Sequence, residues 1–497
     1  MQETEKIRVR FAPSPTGDPH VGVIRQALWT WLYAKKMDGQ FILRIEDTDQ
    51  TRYVEGAVER IQNSLKWLGI KWDEGPDIGG PYGPYFQSQR KHLYKDAAER
   101  LIEDGFAYRC FATPDELREM REKQQAAKLP PRYDGRYRNY PKIDAQKRAA
   151  AGESCVIRFA MPQEGSTSFS DLLRGEITFE NKELDDFVIL KSDGFPTYHL
   201  AHVVDDTAMK ISHVTRGEEW IPSTPRHVQL FNALGYKIPT WVHAPVILGP
   251  DGGKLSKRHG AKFVLEYAEE GYLSDALFNF LAITGWALDD HTEIFSRKRL
   301  TEVFDLKDLS KNPSGFDQTK LEWMNGLYLR EMEEDDLVSI FVQRLEHDLP
   351  AEIPRPINWA LVKELTPLVR ERIKLLSELS SLVGFFFTSD IPTPATEEFL
   401  TKKWKDRSGD ASEALKFTAN DLEPLIDWNA EDIQQTMRNT AEKLETRAGD
   451  FFSLTRIAVT GTRVSPPLFE SMEIIGQELC INRIRRASNS LRNTTDS

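Results

Sequence analysis

The chain has 497 residues, 40% of them apolar and 29% charged, with a formal net charge of −12. That length allows about three domains with a core each, and no apolar run approaches the ~18 residues a spanning helix needs, so no membrane role is expected. Three scattered cysteines, Cys110, Cys155 and Cys480, argue against a disulfide framework, and the polar start is neither signal-like nor transit-like, so a cytoplasmic location is expected.

Residues 7–11 read as a strand that breaks into the turn Pro13-Ser14-Pro15-Thr16-Gly17. A helix is predicted over 20–37 from the spacing of Val21, Ile24, Leu28, Trp31 and Leu32. Its first N–H groups and the positive end of its dipole favour bound phosphate. His20 can donate to a phosphate oxygen there, and Gly22 lets a flat base lie on the backbone. A strand at 40–45 and a helix at 55–68 continue a βαβα order, which predicts a parallel sheet with crossover helices. Ligands in such sheets sit at the carboxyl ends of strands, where Ser14, His20 and Glu46-Asp47-Thr48-Asp49 fall.

Between 90 and 191 the character changes to a helix at 114–128, a Tyr/Arg/Pro-rich loop at 130–141 and mixed short strands, read as an insertion splitting the nucleotide fold. Strand signals return at 186–190, with a turn at 192–194 and helix and strand beyond. Lys254-Leu255-Ser256-Lys257-Arg258 puts two ammonium groups three residues apart on a Gly/Asp-rich loop that can close over departing pyrophosphate. Past residue 264 helical periodicity prevails, broken by prolines at 349–356 and 391–394, and the last dozen residues read as frayed. Basic tracts at 118–128, 132–138 and 483–492 offer local faces for RNA despite the negative net charge.

The words Ser14-Pro15-Thr16-Gly17-Asp18-Pro19-His20 and Lys254-Leu255-Ser256-Lys257-Arg258-His259-Gly260 resemble the two signature motifs of class I aminoacyl-tRNA synthetases. So worded, and with Arg44-Ile45-Glu46-Asp47-Thr48-Asp49, Asp193-Gly194-Phe195-Pro196-Thr197-Tyr198 and Arg216-Gly217-Glu218-Glu219-Trp220, the chain resembles bacterial glutamyl-tRNA synthetases over nearly its whole length. The glutaminyl branch usually words the first motif Pro-Glu-Pro-Asn-Gly. The resemblance implies an α/β fold: a Rossmann-like nucleotide-binding domain split by an α+β insertion, then all-α C-terminal anticodon-binding domains. Residues 1–90 and 192–245 would be the catalytic halves, 91–191 the acceptor-end insertion, 246–333 a stem-contact domain, and 334–388 and 389–497 two helical anticodon-binding domains. The implied reaction activates L-glutamate with ATP and Mg²⁺ to glutamyl-AMP, then acylates the 3′-terminal adenosine of tRNA-Glu; a monomer is expected.

By that resemblance Ser14, His20, Gly22, Lys254, Ser256 and Lys257 bind ATP, and His20, Lys254 and Lys257 are catalytic. A glutamate side chain wants a bidentate guanidinium, so Arg10 and Arg216 form the basic wall. Glu46 takes the ammonium, while Ser14 and Tyr198 bond the remaining oxygens. By residue type alone Glu46 and Arg216 fit a structural ion pair as well. No side-chain nucleophile is needed, because the substrate carboxylate attacks the α-phosphorus and the protein supplies positioning and charge. Some relatives hold zinc in the insertion, but the matching positions here are Cys110, Ala112, Tyr137 and Asn139. One thiol cannot build a four-ligand site, so no zinc is expected. Arg370 matches an arginine associated with rejecting tRNA-Gln; an i,i+4 ion pair on a solvated helix fits it nearly as well.

Overall fold

The computed structural model describes residues 6–255, 262–400 and 402–493. Their contacts divide the chain into two compact units, residues 1–268 with 274–318, and residues 269–273 with 319–497.

The first unit runs β1 (Arg8–Phe11), α1 (Val21–Lys36), β2 (Gln40–Leu43), α2 (Ala57–Trp67), α3 (Lys91–Glu103), β3 (Ala107–Cys110), α4 (Pro114–Ala126), α5 (Lys142–Ala150), β4 (Val156–Phe159), β5 (Ser166–Asp171), β6 (Gly175–Glu180), β7 (Val188–Leu190), α6 (Tyr198–Ala208), β8 (His213–Gly217), α7 (Thr224–Ala233) and β9 (Thr240–Ala244). Six strands form one sheet in the order β2-β1-β8-β9-β5-β6. Neighbours are parallel from β2 through β5, and β6 returns antiparallel to β5 as a hairpin. That hairpin comes from within the segment 91–191, yet it extends the main sheet through the pairing of Asp171 with Trp241. The other strands of that segment, β3, β4 and β7, make a separate antiparallel sheet.

α1 begins where predicted, capped by His20. The predicted stripe is buried, but so are Arg25, Ala27, Trp29 and Thr30. The helix is therefore covered on more than one side, which a single amphipathic face did not foresee. Trp29 Nε1 donates to the carbonyl of Ala282 (2.9 Å) and Arg25 Nη1 to that of Thr284 (2.7 Å), while Arg25 Nε has no partner. The cost of burying the bonded donors is thus offset.

The second unit is helical. Its elements include Glu334–Asp348, Trp359–Val369, Ser408–Leu422, Ala430–Lys443, Ala448–Thr460, Leu468–Ile475 and Gln477–Asn493. The proline-rich stretches at 349–356 and 391–394 fall between helices, as predicted. The frayed end is corrected: the last helix runs to Asn493. Cys480, Ile484, Ala487 and Leu491 recur at three- and four-residue spacing and enter a core with Ala411, Leu415 and Leu454. Arg483 is buried within the same helix and donates to the carbonyls of Val459, Phe385 and Thr388.

Candidate active site

Arg10, Ser14, Glu46, Tyr198 and Arg216, far apart in sequence, line one cavity of about 440 Å³. The fold accounts for the convergence. Arg10 lies on β1 and Arg216 on the adjacent β8, while Ser14 and Glu46 follow the ends of β1 and β2 and Tyr198 opens α6. Gln26, Arg52, Thr215 and Trp220 line the same cavity and were not foreseen. Gln26 carried one signal, standing one helical turn after Val23 on α1.

The two arginines differ in their partners. Arg10 is buried and its Nε lies 3.2 Å from Asp206. Burial alone would raise the Asp206 carboxyl, but Arg10 and Arg44 hold it well below its ordinary range. Arg216 is equally buried, yet no carboxylate among the described residues lies within ion-pair distance of it. Its donors go to His243 Nε2 (3.1 Å), His227 Nδ1 (3.2 Å), Thr224 Oγ1 (2.8 Å) and Tyr198 Oη (3.3 Å). Burial lowers its pKa, because the charged form has lost water without gaining an anion. The ion pair that residue type allowed between Glu46 and Arg216 is absent: Glu46 pairs with Arg44 at 3.2 Å. Burial raises the Glu46 carboxyl, against the opposing charges of Arg44 and Arg10. The cavity thus has an unneutralised cation on β8 and a buried acid past β2.

A smaller cavity, lined by His20, Gly22, Glu219, Lys254 and Leu255, shares Val23 and Gln26 with the first. His20 Nδ1 accepts from the Gly22 N–H at 3.0 Å, so its proton sits on Nε2, which is left to donate. Burial and the Lys254 charge lower its pKa, so the ring is the neutral donor. Lys254 reaches Glu219 at 3.0 Å. Ser256 and Lys257 lie outside the described residues. Arg370 belongs to the second unit. Its Nη2 is held by the carbonyls of Arg330 and Met332, and it forms no i,i+4 ion pair.

At the four positions that the resemblance matched to a zinc site, Cys110 Sγ lies 3.2 Å from Tyr133 Oη. Tyr137 packs in an aromatic cluster with Phe111 and Tyr140, and the Arg148 guanidinium lies 4.1 Å from the Phe111 centroid. These groups do not fit a tetrahedral site. Among the described residues no group of three or more His, Cys, Asp or Glu is arranged to hold a metal ion, and no helix is long and apolar enough to cross a membrane.

A nucleotide-type parallel sheet, a charged cleft at its carboxyl edge and a separate helical unit define the class. Residues 6–323 match the catalytic domain of class I tRNA synthetases (E and Q), and residues 340–488 match an anticodon binding domain. The chain belongs to the class I tRNA synthetase family of the E and Q type. Among curated relatives, the glutamate–tRNA ligase of Dehalococcoides mccartyi is 50% identical over 484 residues, covering 97% of this chain and 98% of that one. That of Moorella thermoacetica is 42% identical over 489 residues, covering 98% and 99%. The crystal structure of a glutamate tRNA ligase from Elizabethkingia meningosepticum in complex with its amino acid aligns with a TM-score of 0.85 at 35% identity, covering 98% of this chain and 100% of that one.

Proposed function

We propose that this chain is a glutamate–tRNA ligase, which activates L-glutamate with ATP and transfers it to the 3′-terminal adenosine of tRNA-Glu. The observation that carries the reading is Arg216: a buried guanidinium with no carboxylate partner among the described residues, facing a cavity that also holds the acid Glu46. A glutamate entering there supplies the missing anion to Arg216, and its ammonium joins Arg44 as a second partner of Glu46.

With the substrate so held, its α-carboxylate oxygen attacks the α-phosphorus of ATP. A new P–O bond forms as the bond to pyrophosphate breaks, and the adenylate's carbonyl carbon then accepts the ribose hydroxyl of the tRNA, releasing AMP. His20 donates from Nε2 to a phosphate oxygen, and Lys254, exchanging Glu219 for phosphate, neutralises charge as pyrophosphate leaves. Ser256 and Lys257 are assigned to the same task on the strength of the motif. Mg²⁺ enters with ATP, held by the substrate's phosphates. The insertion is read as zinc-free and the enzyme as a cytoplasmic monomer.

Acceptor-end contacts are assigned to 91–191, stem contacts to 246–333 and anticodon contacts to 334–388 and 389–497. Arg370 is assigned to the discrimination of tRNA-Gln, which requires its guanidinium to leave the carbonyls of Arg330 and Met332 for a base edge. Charging transcripts of tRNA-Glu and tRNA-Gln side by side tests both levels. Glutamate should be attached to tRNA-Glu, and Arg370→Ala should raise tRNA-Gln charging relative to tRNA-Glu. Failure of tRNA-Glu to accept glutamate overturns the proposed function; efficient charging of tRNA-Gln by the unmutated chain overturns only the discrimination.

A further inference from the structure

One of the groups that hold Arg216, His243, follows from strand register. β8 and β9 pair Arg216 with His243, and β9 meets β5 at Trp241 and Asp171. Asp171, His243 and Arg216 thus lie on three adjacent strands of the sheet; His243 stands opposite Arg216, two residues past Trp241, within reach of the Asp171 side chain. Asp171 Oδ2 accepts from the His243 backbone N–H at 2.9 Å and lies 2.8 Å from His243 Nδ1; on the other side of the ring, His243 Nε2 is 3.1 Å from Arg216 Nε.

A guanidinium has donors only. His243 Nε2 must therefore accept, its proton must sit on Nδ1, and that N–H donates to Asp171. The carboxylate fixes the tautomer, and the tautomer fixes the acceptor. The same logic holds on the other flank. His227 Nδ1 accepts from both Arg216 Nη atoms at 3.2 Å, so its Nε2–H donates to His199 Nδ1 at 2.9 Å. Thr224 Oγ1 accepts from Arg216 Nη2 at 2.8 Å and donates to the Trp220 carbonyl at 3.0 Å. Every group holding this guanidinium is uncharged, and Asp171 stands one full imidazole away.

We infer that His243, its tautomer fixed by Asp171, is a positioning residue that sets the selectivity for a carboxylate side chain, by holding the Arg216 guanidinium while leaving its charge unneutralised. The inference rests on Arg216 being the reader of the substrate's side chain, as proposed above. A carboxylate placed directly on Arg216, as Asp206 is on Arg10, would neutralise the cation before substrate arrives. An incoming carboxylate would then meet a satisfied pair, and a carboxamide would do almost as well. With neutral acceptors, only an anionic side chain relieves the buried cation.

Four variants test this by steady-state charging of tRNA-Glu, each checked by thermal melting. His243→Asn keeps an amide nitrogen near Nδ1 for Asp171 but offers Arg216 no acceptor, whereas His243→Gln can reach the Nε2 position. His243→Asn should raise the glutamate KM about tenfold, the scale for an unmet buried donor, and His243→Gln should restore it while the ATP KM stays within about twofold. Thr224→Asp adds a carboxylate beside Nη2 at the first residue of α7, where a helix N-terminus accepts one. It should lower the glutamate-over-glutamine ratio of kcat/KM about tenfold or more. Equal effects of Asn and Gln at 243, a parallel rise in ATP KM, loss of folding in both, or an unchanged ratio in Thr224→Asp would overturn the inference. Arg216→Gln is the control. If it leaves the glutamate KM unchanged, the reading of Arg216 fails; if it raises KM while the His243 pair behave alike, only the positioning role fails.

Discussion

A Cβ built on Gly22 would lie 2.9 Å from His20 Cε1. The glycine is thus required by the histidine ring folded back onto its N–H, a more specific demand than the room for a flat base read from sequence. Gly22→Ala should push the ring away and break the bond that fixes its tautomer. A misplaced donor of this kind costs about a hundredfold in rate, so ATP–pyrophosphate exchange should fall by that order with the melting temperature unchanged. Full exchange activity in the variant would remove His20 from the phosphate site. Among single residues, the motif positions were legible because each sits in a short word. Asp171, His227 and His243 were not: each is a lone residue, and only the packing of β5, β9 and the helix α7 around Arg216 assembles them. Glu46 and Arg216 show the other limit, since residue type allowed them a mutual ion pair and the fold gave each a different neighbour.

Elements were legible in proportion to their periodicity. α1, α2, β1 and β2 fall within a few residues of the reading. β5 has the sequence Ser-Thr-Ser-Phe-Ser-Asp, buries Thr167, Phe169 and Asp171 on alternate positions, and offers one apolar side chain to announce it. Its place in the main sheet was therefore invisible, and with it the carboxylate behind His243. The last helix erred the other way, its polar and basic surface masking an apolar stripe. Leu491 is buried within it, so Leu491→Ala should destabilise the protein by about 2–4 kcal/mol, read as a lower urea midpoint. A neutral effect would restore the frayed reading. Within 91–191, Phe111, Tyr137, Tyr140 and Arg148 pack as one aromatic and cation–π cluster, which offers no metal ligands. Metal analysis should find no stoichiometric zinc, and chelators should leave the melting temperature unchanged; about one zinc per chain would refute this.

For the molecule as a whole, the histidines behind the cleft link stability to pH. Burial, with the charges of Arg226 and Arg216, pushes His199 down to about 4. In the unfolded chain it titrates near its ordinary value of about 6.5. Between these values the unfolded state binds a proton that the folded state refuses, so stability is full above about 6.5 and declines as pH falls towards 4. His199→Gln removes this titration, so the melting-temperature gap between wild type and variant should narrow, or reverse in favour of the variant, over that interval. A gap independent of pH would show that His199 is not held neutral.

Arg216, as proposed, carries a charge that only the substrate's side chain completes. The most direct test is the effect of Arg216→Gln on the use of glutamate and glutamine, measured by charging of tRNA-Glu with each amino acid. Loss of the guanidinium leaves a buried carboxylate unpaired, at a cost of about 2–5 kcal/mol, so kcat/KM for glutamate should fall at least about thirtyfold. That for glutamine, whose amide needs no cation, should change little. An equal fall for both amino acids, or none for glutamate, would contradict the account.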